Sequence, residues 1–353
     1  MCMKPNHELW RITLDTNPDH CNLNCIMCED HSIYSRKNDR PIRPMMPESL
    51  MESIIRQAAH LGVREIIPST MGEPLLYNHF ERLVDLCREL NLKINLTTNG
   101  TFPLKGKKDH VDYWGQKLLP IGSDIKISWN GSSERTQEKI MVGTTLKSHM
   151  KNAHALVAMR DSVAANHGHY CSLTLQLTFM EMNLDEIPDL VRMAIKLGFD
   201  RVKGHHLWAH FKEITHLSLR RNREAIQRWN RCVSLCTDIA KIEKRPNGKS
   251  IKLEHFFTLS DEKPDDIAPG GECPFIGKEA WVGHSGRFNV CCAPDVQRRT
   301  LGDFGNFNYN TLDEIWNSLT YKAFTESYMT NQLCKSCNMR KKFLSRLYQP
   351  KRI

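Results

Sequence analysis

Three cysteines stand close together near the start of the chain, in Cys21-Asn-Leu-Asn-Cys25-Ile-Met-Cys28. Thiolates are soft metal ligands, and three in one short loop supply three corners of a four-iron, four-sulfur cube. Such cubes normally take four cysteines, so one iron is left open to a small molecule, as catalytic metal sites keep an open position. A zinc site or a set of buried free thiols would use the same three residues. Five more cysteines, Cys273, Cys291, Cys292, Cys334 and Cys337, lie near the other end, the last two as C-x2-C. Four thiolates at such spacing suit a closed cluster or a structural zinc ion.

These residues need a scaffold. Apolar runs alternate with helical patterns, which argues for βα units on a parallel sheet. Strands are predicted at 9–14, 64–69, 92–98, 124–129, 171–179 and 201–207, and helices at 48–61, 80–90, 146–165, 184–197 and 222–244. The fold class is therefore α/β: a partial (β/α)6 TIM-like barrel plus a small C-terminal domain. Such sheets carry their chemistry at the C-terminal ends of the strands. The polar motifs fall there. The cysteine loop follows the first strand and Thr70-Met71-Gly72-Glu73-Pro74 the second. Thr97-Thr98-Asn99-Gly100 ends the third, Ser128 the fourth, and Gln176 and Thr178 lie on the fifth. Gly204-His205-His206-Leu207-Trp208 ends the sixth. Histidine suits proton transfer near neutral pH, and strand alternation points one of the pair to the pocket and the other to the helices. The domain reading is a tail at 1–8, a core at 9–210, a helical connecting segment at 211–262, a cysteine domain at 263–342 and a basic tail at 343–353. The Asp261–Gly271 loop marks the boundary.

With the strand-end motifs in this order, the chain resembles the radical S-adenosylmethionine (SAM) superfamily over about residues 9–207. The resemblance implies that the open iron binds the amino and carboxylate groups of SAM. It also implies that the reduced cluster, fed by a flavodoxin or ferredoxin-type donor, cleaves SAM to a 5′-deoxyadenosyl radical. Gly72-Glu73-Pro74 is similar to the family motif that contacts the methionine amino group, with Met71 where members often carry glycine. Thr98 and Asn99 look like the family's third-strand segment. Ser128 resembles the small polar residue that touches SAM, with Gln176 a weaker candidate, and Met27 sits where the family places a residue near adenine. The C-terminal cysteines resemble the SPASM/twitch auxiliary domain. There a cysteine (Cys273) precedes a hairpin whose Gly286 is separated from Cys291 by four residues; Leu301-Gly302, Ile315-Trp316 and C-x2-C follow. A full SPASM domain has seven cysteines and two clusters. The pattern here implies the shorter form, with one closed 4Fe-4S cluster on Cys273, Cys291, Cys334 and Cys337. Cys292 is an alternative ligand, or a hydrogen-atom donor if the reaction is an epimerisation.

Composition bounds the remaining classes. The 353 residues are 40% hydrophobic, enough for one large and one smaller domain. No apolar run is long enough to span a membrane and no signal peptide opens the chain, so a reducing cytoplasm is expected, with the 13 cysteines as ligands and free thiols. The net charge of +9 is spread out and lacks the concentrated, aromatic-laced stripe of a nucleic-acid binder. Because the core begins near Met1, with no leader-binding domain ahead of it, the substrate expectation is a small polar molecule of sugar, aminocyclitol or nucleoside type, oxidised, epimerised or decarboxylated. The alternative is epimerisation or cross-linking of a ribosomally made peptide; a third reading is a non-catalytic iron–sulfur carrier or sensor. Glu181 and Asp185 are expected to cap the helix after the fifth strand. Trp129 and Asn130 are candidate pocket lining. Cys87, Cys171, Cys232 and Cys236 are expected to be structural.

Overall fold

The computed structural model describes residues 9–35, 41–68, 71–105, 107–260, 271–337 and 339–340. Both predicted tails, Thr70 and nearly all of the 261–271 loop lie outside the described residues. Among the described residues nine strands form one sheet: β1 Arg11–Leu14, β2 Glu65–Ile67, β3 Lys93–Thr98, β4 Gly122–Ser128, β5 Ser172–Phe179, β6 Arg201–His206, β7 Lys252–Glu254, β8 Glu279–Val282 and β9 Phe288–Asn289. Their order is β7-β6-β5-β4-β3-β2-β1-β8-β9, parallel throughout except for β8 with β9. The sheet curls into an unclosed partial barrel. Helices α1 Glu48–His60, α2 Phe80–Glu89, α3 Val111–Leu118, α4 Glu134–Ile140, α5 Leu146–His167, α6 Ile187–Leu197 and α7 Arg223–Ile242 connect the first seven strands.

Side-chain period sets the two faces. Along β5, Leu173, Leu175, Leu177 and Phe179 are all buried against the helices, while Thr174, Gln176 and Thr178 alternate onto the barrel interior. Ile125 and Ile127 do the same on β4. On the helical side, α1 buries Leu50, Met51, Ile54, Ile55 and Ala58 at helical spacing. α5 starts on the Thr145 side chain, which accepts the Ser148 N–H, and stops at Gly168 with φ 68°.

Several elements differ from the sequence reading, the short strand β7 among them. The short helices α3 and α4 were not expected: α3 carries Gly115 inside it, and α4 has few apolar residues to make a stripe. The C-terminal hairpin also does not stand apart. β8 pairs in parallel with β1, from Arg11↔Glu279 to Leu14↔Val282, so the cysteine domain builds an edge of the core sheet. The buried Glu279 carboxylate makes this join, accepting from Thr13 Oγ1 at 2.6 Å and pairing Arg11 at 3.4 Å. Beyond the hairpin, α8 Asp295–Arg298, α9 Leu312–Asn317, α10 Leu319–Ser327 and α11 Gln332–Lys335 complete the described chain.

Candidate active site

The cysteine loop leaves the C-terminal end of β1 and is pinned on several sides. Thr16 Oγ1 donates to Pro68 O at 2.7 Å, and Asn17 Nδ2 to Glu73 O at 2.6 Å. The N–H groups of Asn24 and Ile26 donate to Val142 O and Ile140 O, which seats Leu23 and Ile26 in an apolar cluster with Ile140 and Met141. Arg43 holds the loop at both ends: its Nη2 lies 2.6 Å from Asp19 Oδ1, before Cys21, and 2.7 Å from Asp30 Oδ1, after Cys28. No local signal in the sequence marks Arg43, because its partners are 13 to 24 residues away and ion pairs leave no periodic pattern.

The three thiols face backbone and side-chain N–H groups. Leu23 N–H points to Cys21 Sγ at 3.5 Å, His31 N–H to Cys28 Sγ at 3.4 Å and Asn99 Nδ2 to Cys21 Sγ at 3.8 Å. Burial, then the neighbouring thiols, pushes the Cys25 thiol well up, and burial pushes Cys21 up to about 12. Metal-free, these sites hold neutral thiols; a bound cation deprotonates such ligands.

The Gly72-Glu73-Pro74 turn packs directly on this loop. Gly72 has φ 68°, and a Cβ there would sit 2.3 Å from Asn17 O and 2.7 Å from His20 O. Only glycine fits on both counts. Glu73 is buried; its carboxylate accepts from Thr98 Oγ1 and Asn99 N at 2.7 Å each and from Leu75 N at 3.4 Å. Burial pushes it up to about 7. Among the described residues no cation lies within 4 Å of it, so it suits a ligand ammonium. Asn99 is fixed by Asn22 and Thr101, and its carbonyl takes the His149 ring at 2.8 Å. Ser128 and Gln176 are register partners on the interior face, and Gln176 Oε1 is buried without a hydrogen bond. Met27 packs at the edge of the apolar cluster under the loop.

Deeper in the barrel the interior face is a belt of ion pairs. Arg11 pairs Glu65 at 2.6 Å, Arg201 pairs Glu254 at 3.1 Å, and Lys126 contacts Asp124 and Asn95. The two histidines of β6 divide by alternation. His206 turns to the helices, its ring 4.8 Å from Trp229 and 5.6 Å from Phe179, which takes it out of reach of a substrate in the barrel. His205 lines the interior. It is exposed by surface area, yet desolvation, then His255 and Lys203, lowers its pKa to about 4. Both are true of a group on the wall of a concave cavity.

Two further expectations are corrected. Trp129 lies on the helical face, donating to Gly131 O at 2.9 Å, and Asn130 braces β5 through Thr178 N–H at 2.8 Å; neither lines the pocket. Glu181 pairs with Arg221 and Arg228, and Asp185 with Arg228, in place of capping α6.

The C-terminal cysteines meet beside an aromatic box of Phe288, Phe304, Trp316 and Tyr321. Burial raises Cys273, and it raises Cys291 to about 12 and Cys334 to about 11; Cys337 adds to the rise of all three, and Cys273 to that of the other two. Cys292 is raised well above its usual value by burial, then by Cys291, Cys337 and Glu279. It thus lies near the same group of thiols. Gly286, with φ 85°, leaves room for Asn306 and Asn308. A desolvated set of thiols is a soft donor set that suits an iron–sulfur cluster.

Comparison with known proteins places this geometry. The model of the radical SAM superfamily matches residues 18–194, and that of the SPASM iron–sulfur cluster-binding domain matches residues 273–338. PqqA peptide cyclase of Methylobacterium nodulans is 23% identical over 335 residues, covering 91% of this chain and 77% of its own. Streptococcus suis SuiB bound to S-adenosylmethionine superposes with a TM-score of 0.64 at 18% identity, over 94% of this chain and 71% of that one. SuiB bound to its precursor peptide SuiA gives 0.63 at 17%, over 94% and 70%. With the family model spanning half of its length, this chain belongs to the radical SAM superfamily and carries a C-terminal SPASM domain, a pairing that brings SAM and 4Fe-4S clusters as cofactors.

Proposed function

We propose that the chain is a radical SAM enzyme that modifies a ribosomally made peptide. The observation that carries this reading is the likeness to proteins named PqqA peptide cyclase along 91% of the chain, core and cysteine domain together. A fold neighbour bound to a precursor peptide agrees with it. The expectation of a sugar-like small molecule gives way on this ground. No described helix is long and apolar enough to cross a membrane.

Cys21, Cys25 and Cys28 would hold the cluster, which together with SAM would supply radical chemistry able to take a hydrogen atom from the substrate. The chain's own residues prepare that event. Glu73 pairs the SAM ammonium, and the Thr98 and Asn99 donors fix which carboxylate lone pairs remain for it. Ser128 and Gln176 offer hydroxyl and amide groups from the barrel wall, and Met27 offers an apolar surface to the adenine. Cys273, Cys291, Cys334 and Cys337 hold the auxiliary cluster, and a flavodoxin or ferredoxin-type protein supplies electrons. The core runs over 9–210 with β8 as its added edge, joined through 211–262 to the cysteine domain.

The test is anaerobic incubation of reconstituted, reduced protein and SAM with synthetic peptides encoded by short reading frames beside the gene. A peptide mass change together with 5′-deoxyadenosine above the peptide-free level supports the reading. No change in any such peptide, with turnover of a cell-extract metabolite instead, returns it to a small molecule. No 5′-deoxyadenosine under any condition favours the electron carrier or sensor.

A further inference from the structure

The β8 strand carries a polar group that neither cluster site uses. Trp281 is only 9% exposed, and its Nε1–H is buried with no hydrogen-bond partner among the described residues. A buried indole N–H usually finds an acceptor, because an unpaired one gives up its hydration without return. Other buried tryptophans of this chain follow that rule. Trp114 Nε1 donates to Pro103 O at 2.8 Å, Trp129 Nε1 to Gly131 O at 2.9 Å and Trp229 Nε1 to Phe257 O at 2.8 Å. Trp281 departs from it.

Alternation along β8 sets where the indole lies. Ala280 and Val282 belong to the apolar core between sheet and helices, whereas Trp281 joins neither apolar cluster. Glu279, on the same face of the strand as Trp281, meets Thr13 and Arg11 on the barrel interior. Trp281 is therefore an interior residue. It stands beside Thr13 in the parallel register with β1 and beside Asn289 in the antiparallel register with β9. The Phe275 ring meets it edge-on, at 5.7 Å and 82°, and sets its plane. The ion-pair belt lies toward the N-terminal ends of these strands, at Arg11 and Glu279, and the cysteine loop leaves β1 beyond its C-terminal end. The indole stands between the two.

The chemistry of the donor selects its acceptor. An indole N–H is neutral and donates only. A carboxylate here would need a cation, and Arg11 is already held by Glu65 at 2.6 Å and Glu279 at 3.4 Å. An uncharged carbonyl oxygen needs one donor and no counter-charge.

We propose that Trp281 is a substrate-binding residue whose Nε1–H donates to an uncharged carbonyl oxygen of the substrate, a backbone carbonyl where the substrate is a peptide. The proposal rests on the reading that the barrel interior receives the substrate.

Indole N–H resonances report the bond directly. Isotope-labelled tryptophan is placed in the oxidised, iron-loaded protein, and Trp281→Phe assigns the resonance concerned. With SAM but no substrate, it is expected upfield of the resonances of Trp114, Trp129 and Trp229, assigned in the same way. The substrate that the protein turns over, peptide or extract metabolite, should move it downfield toward them and leave theirs in place. In steady state W281F should raise KM about three- to tenfold, the worth of one neutral hydrogen bond, with a smaller change in kcat. A merely structural indole would give neither the substrate-dependent shift nor this split. A Trp281 resonance already among the paired ones before substrate is added, a resonance that substrate leaves in place, or a W281F enzyme with the wild-type KM overturns the proposal. Formation of 5′-deoxyadenosine is read on the same preparation. Its absence defeats the proposed function and this inference with it, whereas any of those three results in a protein that makes it defeats the inference alone.

Discussion

Replacing Arg43 by alanine should loosen the cysteine loop at both ends at once. Its guanidinium reaches Asp19 at 2.6 Å and Asp30 at 2.7 Å, and the three side chains are only 20%, 11% and 9% exposed. Losing one partner of a buried pair costs about 3–5 kcal/mol, whereas an exposed pair is worth about 0–1. Partial exposure places this loss between the two, at about 2–3 kcal/mol, since two carboxylates lose their partner together. That corresponds to a melting temperature lower by about 3–4 °C for a chain of this length. The loop also carries three proposed iron ligands, so anaerobic reconstitution of R43A should give about four irons per chain where the wild type gives about eight. R43K should fall between, because lysine keeps the charge but lacks the planar fork that reaches two carboxylates. Melting and iron content of all three proteins check this. An R43A protein that melts with the wild type and binds its full iron would refute the clamp.

Gly72→Ala places a Cβ 2.3 Å from a backbone oxygen at φ 68°; it should cost about 2 kcal/mol or more in a thermal melt and weaken SAM binding by equilibrium dialysis. Glu73 has its pKa raised to about 7 from 4.5. The metal-free fold therefore gains stability from this group below about pH 4.5 and loses up to about 3 kcal/mol as pH rises through 7. Glu73→Gln should flatten that part of a stability-against-pH curve, and an unchanged slope would show the carboxylate to be better solvated than its burial implies. Cys292→Ala should stop solvent deuterium from entering product if the reaction is an epimerisation; incorporation at the wild-type level would remove this thiol from the mechanism.

The parallel scaffold was legible because buried strands and amphipathic helices write different periods into the sequence. Leu173 to Phe179 and Leu50 to Ala58 show both. The glycine and carboxylate of the Gly72-Glu73 turn could also be found, since a strand end limits where they point. What escaped were features made by distant partners. Glu279 reads as a solvent residue until Thr13 and Arg11, 266 and 268 positions away, turn it into the seam between β8 and β1. Arg43 is likewise defined by what it reaches rather than by its neighbours in sequence. Alternation separates His205 from His206, but only the packing of Trp229 on His206 tells which of the two faces the barrel.

The central claim is that Cys21, Cys25 and Cys28 hold the cluster at which SAM is cleaved. Reconstituted, reduced wild-type protein should convert SAM to 5′-deoxyadenosine. The triple variant with all three cysteines changed to alanine should make none while keeping the iron of the C-terminal site. A wild type that is fully loaded yet inactive toward SAM, or a triple variant that cleaves it at the same rate, would contradict the account.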